Sequence, residues 1–207
     1  MPIQWKSICL AAALCAVLAA CGSVLESGKP ARQVYLLHTP KAPSGSAQAQ
    51  APASLILSVR AMPGLDTDLV QVLGNDARLL PVANAHWADN TPEVFTSITR
   101  RYLSDTRSFT AVHVGTLARP DEWLLELELQ AFYGTQDTAG VTDSVVLKME
   151  GTLRCNGAQH LLRVEKQTSA SGDNLAGLVA AHQRVLDAAL PDLVTLILQP
   201  CATPAPG

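Results

Sequence analysis

Basic side chains are few and scattered in this chain. Lys and Arg number 15 against 18 Asp and Glu, for a formal net charge of −3. That balance excludes nucleic acid as an expected partner, because phosphate binding needs clustered Lys and Arg. Anionic lipid headgroups are excluded as the main attraction on the same ground. Catalytic motifs are missing as well: there is no HExxH, no CxxC pair, no GxGxxG, no GxxxxGK[ST] and no GxSxG. The five histidines, His38, His86, His113, His160 and His182, are scattered, and none stands at metal-ligand spacing from another ligand. No metal, no cofactor and no enzymatic activity are expected. Nor does the N-terminal apolar run reach the about 20 residues that a membrane-spanning helix needs.

What is present begins at that terminus. Lys6 precedes an apolar run, Ile8 to Leu18, which gives way to Ala19, Ala20 and Cys21. A basic start, a short apolar core and a small-residue exit are the parts of a secretory signal peptide. Leu18-Ala19-Ala20-Cys21 resembles a bacterial lipobox. The resemblance implies cleavage between Ala20 and Cys21, with acyl chains on Cys21, because only a thiol carries the thioether-linked diacylglycerol. An ordinary signal peptide with a chance cysteine is the competing reading. Residues 1–20 are then a signal peptide and residues 21–32 a flexible, Gly- and Pro-bearing tether. Two or more acyl chains, at about 0.8 kcal/mol per buried CH₂, anchor a protein to a membrane that it does not cross.

Removing the signal leaves enough chain for one moderate domain, and 48% hydrophobic with 16% charged residues is a globular balance. Two cysteines remain in that body. Cys155 follows a strand pattern and Cys201 follows the last helix. In an oxidising compartment such a pair tends to close. A bridge would close a loop of about 45 residues, worth roughly 4 kcal/mol in the chain-entropy model. Two buried free thiols are the alternative.

The domain is expected over residues 33–200. Gln33–Leu37 is a short strand that docks on the sheet, and residues 38–53 form a low-complexity, mobile Pro/Ala/Ser/Gln loop. Ser54–Arg60 alternates as a strand. Leu69–Leu73 and Ala77–Val82 read as a hairpin around Gly74-Asn75-Asp76, and Asn84–Asp89 as a polar loop. A helix starts at Asn90-Thr91-Pro92-Glu93, with Thr91 as cap, and buries Val94, Phe95, Ile98 and Tyr102. Phe109–Val114 is another short strand. Trp123–Tyr133 alternates cleanly. Val145–Leu153 continues the pattern, and Asn156-Gly157 turns the chain into a third amphipathic strand through Val164. Glu126 and Glu128 are placed opposite Lys148 or Arg163. Ser171–Asn174 opens a long helix with an apolar stripe from Leu175 to Ile197, kinked or broken at Pro191. Residues from Gln199 on, including 201–207, form a frayed tail. These elements predict an α+β fold: a two-layer domain with a mainly antiparallel sheet and a β meander, covered by two helices.

Few side chains invite a functional reading. His182 lies on the apolar stripe of the last helix and reads as a satisfied core-edge histidine. Asp66 and Asp68 read as solvated turn residues, and Arg100-Arg101 as a solvated helix end. Trp87 is either tucked under the sheet or available to a partner, and stands as the partner-surface candidate.

In order of elements the chain resembles the ABC-type transport auxiliary lipoprotein family, the PqiC-like proteins. The match runs from the lipobox to a strand at Tyr35-Leu36-Leu37 and a Pro/Ala-rich spacer. It continues through an apolar strand, Leu55–Val59, to Trp87-Ala88-Asp89 ahead of Pro92 and its helix, then Phe109–Val112, the meander and the last helix. The resemblance implies an accessory subunit of an envelope lipid-transport system. Its implied partners are an MCE-domain protein and an ABC permease and ATPase. Gly22 after Cys21 fits sorting to the outer membrane, facing the periplasm. An assembly or chaperone lipoprotein for another envelope protein, such as a β-barrel, is the alternative. A wet sheet face or an edge strand could also support a homo-oligomer.

Overall fold

The computed structural model describes residues 31–42, 53–170 and 174–201. The chain divides into two units, Met1–Arg32 and Gln33–Gly207. Apart from Ala31 and Arg32, the first lies outside the described residues.

The elements of the second unit are β1 (Gln33–Tyr35), β2 (Leu55–Ala61), β3 (Leu69–Leu73), β4 (Leu79–Trp87), α1 (Thr91–Asp105), β5 (Val112–Val114), β6 (Trp123–Gln136), β7 (Thr142–Cys155), β8 (Ala158–Ser169) and α2 (Leu175–Cys201). All eight strands join one open sheet, so the fold is α+β as expected. The sheet is mixed, however. β6–β7–β8 is the antiparallel meander, and β3 pairs antiparallel with β4. β2 and β3 both run parallel to β6 along one edge of it, β5 is parallel to β2, and β1 is parallel to β4. β6 can serve three partners because it is 14 residues long.

Local sequence explains the hairpins. Asn156 and Gly157 both adopt positive φ, 51° and 78°, the two-residue type I′ geometry that matches strand twist. At the β3–β4 turn the left-handed residue is Ala77, φ 62°, rather than Gly74 or Asn75. Asp76 supports it by bonding the Arg78 side chain across the turn. β4 does not stop at Val82. The pairing with β3 slips between Leu69 and Gln71, Asn84 takes φ 57°, and the strand resumes through Ala85-His86-Trp87. The polar run Asn84–Asp89 is therefore a strand end behind a bulge.

Both helices bury one stripe on the apolar sheet face. In α1 the buried set is Phe95, Ile98, Thr99, Tyr102 and Leu103, with Thr91 and Pro92 buried at its start. Asn90 is the residue ahead of the helix. Thr91 does not cap; its hydroxyl donates to the Thr67 carbonyl at 2.9 Å and ties the helix start to the chain before β3. α2 begins with Asn174, whose Oδ1 accepts from the Gly177 N–H at 2.8 Å, a side-chain cap. It runs unbroken through Pro191 to Cys201, so Gln199–Cys201 is helical rather than frayed. Leu178, Ala181, Val185, Leu186, Leu193 and Ile197 line its buried face. Residues 38–42 are also held rather than mobile. The Gln183 side chain accepts from the His38 N–H at 2.8 Å and donates to its carbonyl at 3.0 Å, and Ala42 packs on the core. Residues 43–52 lie outside the described residues.

Two features of the meander decide which side chains reach the core. An extra residue sits in β6 between Leu129 and Ala131. Before it Trp123, Leu125, Leu127 and Leu129 point inward; after it the phase reverses and Phe132 goes in while Tyr133 is only half-buried. In β7, Gly151 sits opposite Leu127. A Cβ there would collide with the Glu126 carbonyl oxygen and stand 2.9 Å from Leu127 Cδ2. β6 approaches this closely only because position 151 has no side chain. Gly151→Ala should therefore force the two longest strands apart. We expect a cost of about 2–3 kcal/mol, a fall in Tm of roughly 4–12 °C by thermal melt. An unchanged Tm would contradict the close-approach reading.

Candidate functional site

Ala20 and Cys21, the cleavage and lipidation residues, lie outside the described residues. Trp87 lies inside them and is not a surface residue. It is 2% exposed, at the inward-facing end of β4, so of the two readings the tucked one holds and the partner-surface candidate is corrected. Its ring packs 5.6 Å from Phe132 and 5.1 Å from His182. The resumed alternation behind the Asn84 bulge turns it in, with Ala85 and Trp87 on the core side of the strand.

Cys155, at the end of β7, is bonded to Cys201, at the end of α2, with Cα atoms 6.1 Å apart. The Asn156 side chain donates to the Cys201 carbonyl at 3.1 Å and satisfies a helix-end acceptor beside the bridge. His160 brings a third donor close: the ligand atoms of Cys155, His160 and Cys201 lie within 4.8 Å of one another. The two sulfurs are bonded to each other, so the cysteine pair is a structural staple with His160 beside it. The remaining histidines do not converge. His86 Nδ1 lies 3.1 Å from Asp68 Oδ2 at a half-buried position, which makes Asp68 a histidine partner rather than a solvated turn residue. Asp66 accepts at 3.5 Å from Asn90. Arg100 and Arg101 are exposed on α1.

The open face of the sheet carries the exposed chemistry. Strand register lines up Arg60 on β2, Glu128 on β6, Glu150 on β7 and Arg163 on β8 in one row. Arg60 Nε donates to Glu128 Oε2 at 2.6 Å, and Arg163 Nε lies 3.6 Å from Glu150 Oε1, which Lys148 also approaches at 3.9 Å. The pairing differs from the expected one: Glu128 goes to Arg60, and the carboxylate facing Lys148 and Arg163 is Glu150. The two carboxylates stand opposite each other and each takes a cation from its outer side. Such exposed pairs contribute about 0–1 kcal/mol each, so the row is surface chemistry rather than a stabiliser. It lines an open groove of about 620 Å³, together with Ser58, Glu126, Thr152 and Leu161. Leu161 is 84% exposed. The lining combines carboxylates, guanidinium groups and the hydroxyls of Ser58 and Thr152 with three leucines, Leu127, Leu161 and Leu162.

Among the described residues His182 is the one strongly perturbed group. It is fully buried on α2, its Nδ1 donates to the Leu178 carbonyl at 2.9 Å, and its ring stacks edge-on against Phe132 at 4.7 Å. Its Nε2 has no hydrogen-bond partner among the described residues. Burial among aromatic rings disfavours the cation and pulls its pKa from the ordinary 6.5 down to about 4, against a smaller upward pull from the Leu178 carbonyl. The folded state thus binds this proton less readily than the unfolded chain. Stability from this group is complete above pH 6.5 and is lost as pH falls from 6.5 towards 4. The loss at acid pH should be on the order of 3 kcal/mol. Denaturant titrations between pH 7 and pH 4 should show that decline in the wild type and a much flatter profile for His182→Gln; identical slopes would contradict the assignment.

No curated protein matches the sequence. Among solved structures, protein XCC0632 from Xanthomonas campestris superposes with a TM-score of 0.66 at 20% identity, covering 83% of this chain and 100% of that one. An uncharacterised protein superposes with a TM-score of 0.63 at 14% identity, covering 80% of this chain and 98% of that one. These likenesses establish the fold. The family model for the ABC-type transport auxiliary lipoprotein component matches residues 35–194, nearly the whole described body from β1 into α2. This chain belongs to the ABC-type transport auxiliary lipoprotein component family.

Proposed function

We propose that the protein is a lipid-anchored, non-enzymatic accessory subunit of an ABC/MCE-type envelope lipid-transport system. In this reading it sits at the outer membrane, faces the periplasm and docks the MCE component. The observation that carries the reading is the family match over residues 35–194. Three features support it. The leader ends in a lipobox-like Leu18-Ala19-Ala20-Cys21. The groove on the sheet is open and presents charged and hydroxyl side chains on the side away from the helices. No helix among the described residues is long and apolar enough to cross a membrane, so attachment would fall to the acylated cysteine.

The physical content is positional. Gln33, the first strand residue, lies twelve residues along the chain from Cys21, with eleven residues between them. Fully extended, that length reaches about 40 Å. A body on so short a leash meets partners only in the layer next to its own membrane, and the tether converts a weak contact into an intramolecular one. The docking face in this reading is the open sheet face with the Arg60–Glu128–Glu150–Arg163 row, since Trp87 is in the core.

Deleting the gene should raise detergent sensitivity to the same degree as deleting the MCE partner, with no further increase when both are lost. Cys21→Ser should release the protein from the membrane fraction and fail to restore resistance. A protein that stays membrane-bound and fully active without Cys21 would overturn the anchoring step. Additive defects in the double deletion would overturn the shared pathway.

A further inference from the structure

β8 is the edge of the meander. β7 pairs with one side of it along the whole of Ser144–Cys155, without a register shift, and among the described residues no strand pairs with the other side. At 12 residues it is about twice the usual strand length of 5–6. Natural sheets blunt such an edge by shortening it, by proline, by a bulge or by charge. β8 has no proline and no bulge. Only its charges remain, and their order is what matters.

Along the open-face side the residues are Gln159, Leu161, Arg163, Glu165 and Gln167, all exposed. The helix-facing set is His160, Leu162, Val164, Lys166 and Thr168, with Leu162 and Val164 buried. An antiparallel pairing of two copies that keeps both open faces on one side must centre on a single residue. Centred on Arg163, Glu165 or Lys166, it sets like charges against each other. Centred on Leu162, it forms no charge pair. Centred on Val164, it sets Arg163 of each copy against Glu165 of the other, twice. It also sets Leu161 against Gln167, Leu162 against the Lys166 stem and Val164 against Val164, with no like charges opposed. Opposite-charge pairs directly across strands favour a register and like charges oppose it. The charges that repel a generic strand therefore admit this one.

We propose that β8 is a dimerisation edge, pairing antiparallel with β8 of a second copy about Val164. Two eight-stranded sheets then join into one, and the open faces with their charged rows become continuous across a two-fold axis. The inference is independent of the transport reading, because it uses only the edge and its register.

The test uses the acylated, full-length mature protein extracted in detergent. Native mass spectrometry of the wild type should give a dimer. Arg163→Glu and Glu165→Arg should each give monomer, and mixing those two variants should restore a one-to-one heterodimer, since their charges then oppose correctly. Thermal melts check that each variant is folded. Because Arg163 within its own chain also donates to Glu165 at 3.4 Å and lies 3.6 Å from Glu150, reversing either charge disturbs in-chain pairs, so a second arm leaves both residues unchanged. In a chain carrying Leu161→Cys and Gln167→Cys, mild oxidation should produce a covalent dimer whose linked peptides join position 161 of one copy to position 167 of the other. The two positions are too far apart along one strand to bridge within a chain. A monomeric wild type would overturn the proposal. So would an oligomer that survives both reversals, or an oxidised double-cysteine chain with no 161–167 link.

Discussion

Phe132 holds the parts of this domain to one another. It stands on β6, and its ring lies 4.7 Å from Phe95 on α1, 4.7 Å from His182 on α2 and 5.6 Å from Trp87 on β4. One side chain thus touches both helices and the strand that closes the β3–β4 hairpin. Edge-on aromatic contacts add about 0.5–1.5 kcal/mol each beyond the area they bury. Their larger effect is to fix where α1 and α2 lie on the sheet. The extra residue between Leu129 and Ala131 makes this possible by reversing the phase of β6, which sends Phe132 inward where uninterrupted alternation would send Tyr133.

From that centre the sheet sorts its two faces. The helix side is closed by apolar stripes and pinned at its far end by the Cys155–Cys201 bond. The other side buries Ile56 and Leu124 at one end and is open around the row on β2, β6, β7 and β8, with carboxylates in the middle of that row and guanidinium groups at its ends. A domain built so spends its apolar residues on one layer of helices and keeps a broad polar face for contact. Such an arrangement suits a fastening and docking subunit.

The sequence made much of this legible, for definable reasons. The alternation of β6, β7 and β8 and the Asn156-Gly157 turn are local patterns, and both appear where they were expected. The stripe of α2 is equally local, and long enough that Pro191 does not break it. What was not legible depends on pairing. Nothing in Leu55–Ala61 announces that it runs parallel to β6, so Arg60 could not be assigned to Glu128 beforehand. Trp87 follows a polar run in sequence, and the bulge at Asn84 hides the strand that carries it inward. The clasp of Gln183 on His38 spans 145 positions and leaves no mark in composition. Leu18-Ala19-Ala20-Cys21 resembles a lipobox in sequence alone and lies outside the described residues.

The account's central claim is that this body serves one transport assembly from a membrane anchor. Affinity purification of the tagged, acylated protein from cross-linked native envelopes, followed by identification of what is captured, tests it most directly. The account predicts enrichment of an MCE-domain protein with its ABC permease and ATPase. Capture of a β-barrel in their place, with none of the three enriched, would contradict it.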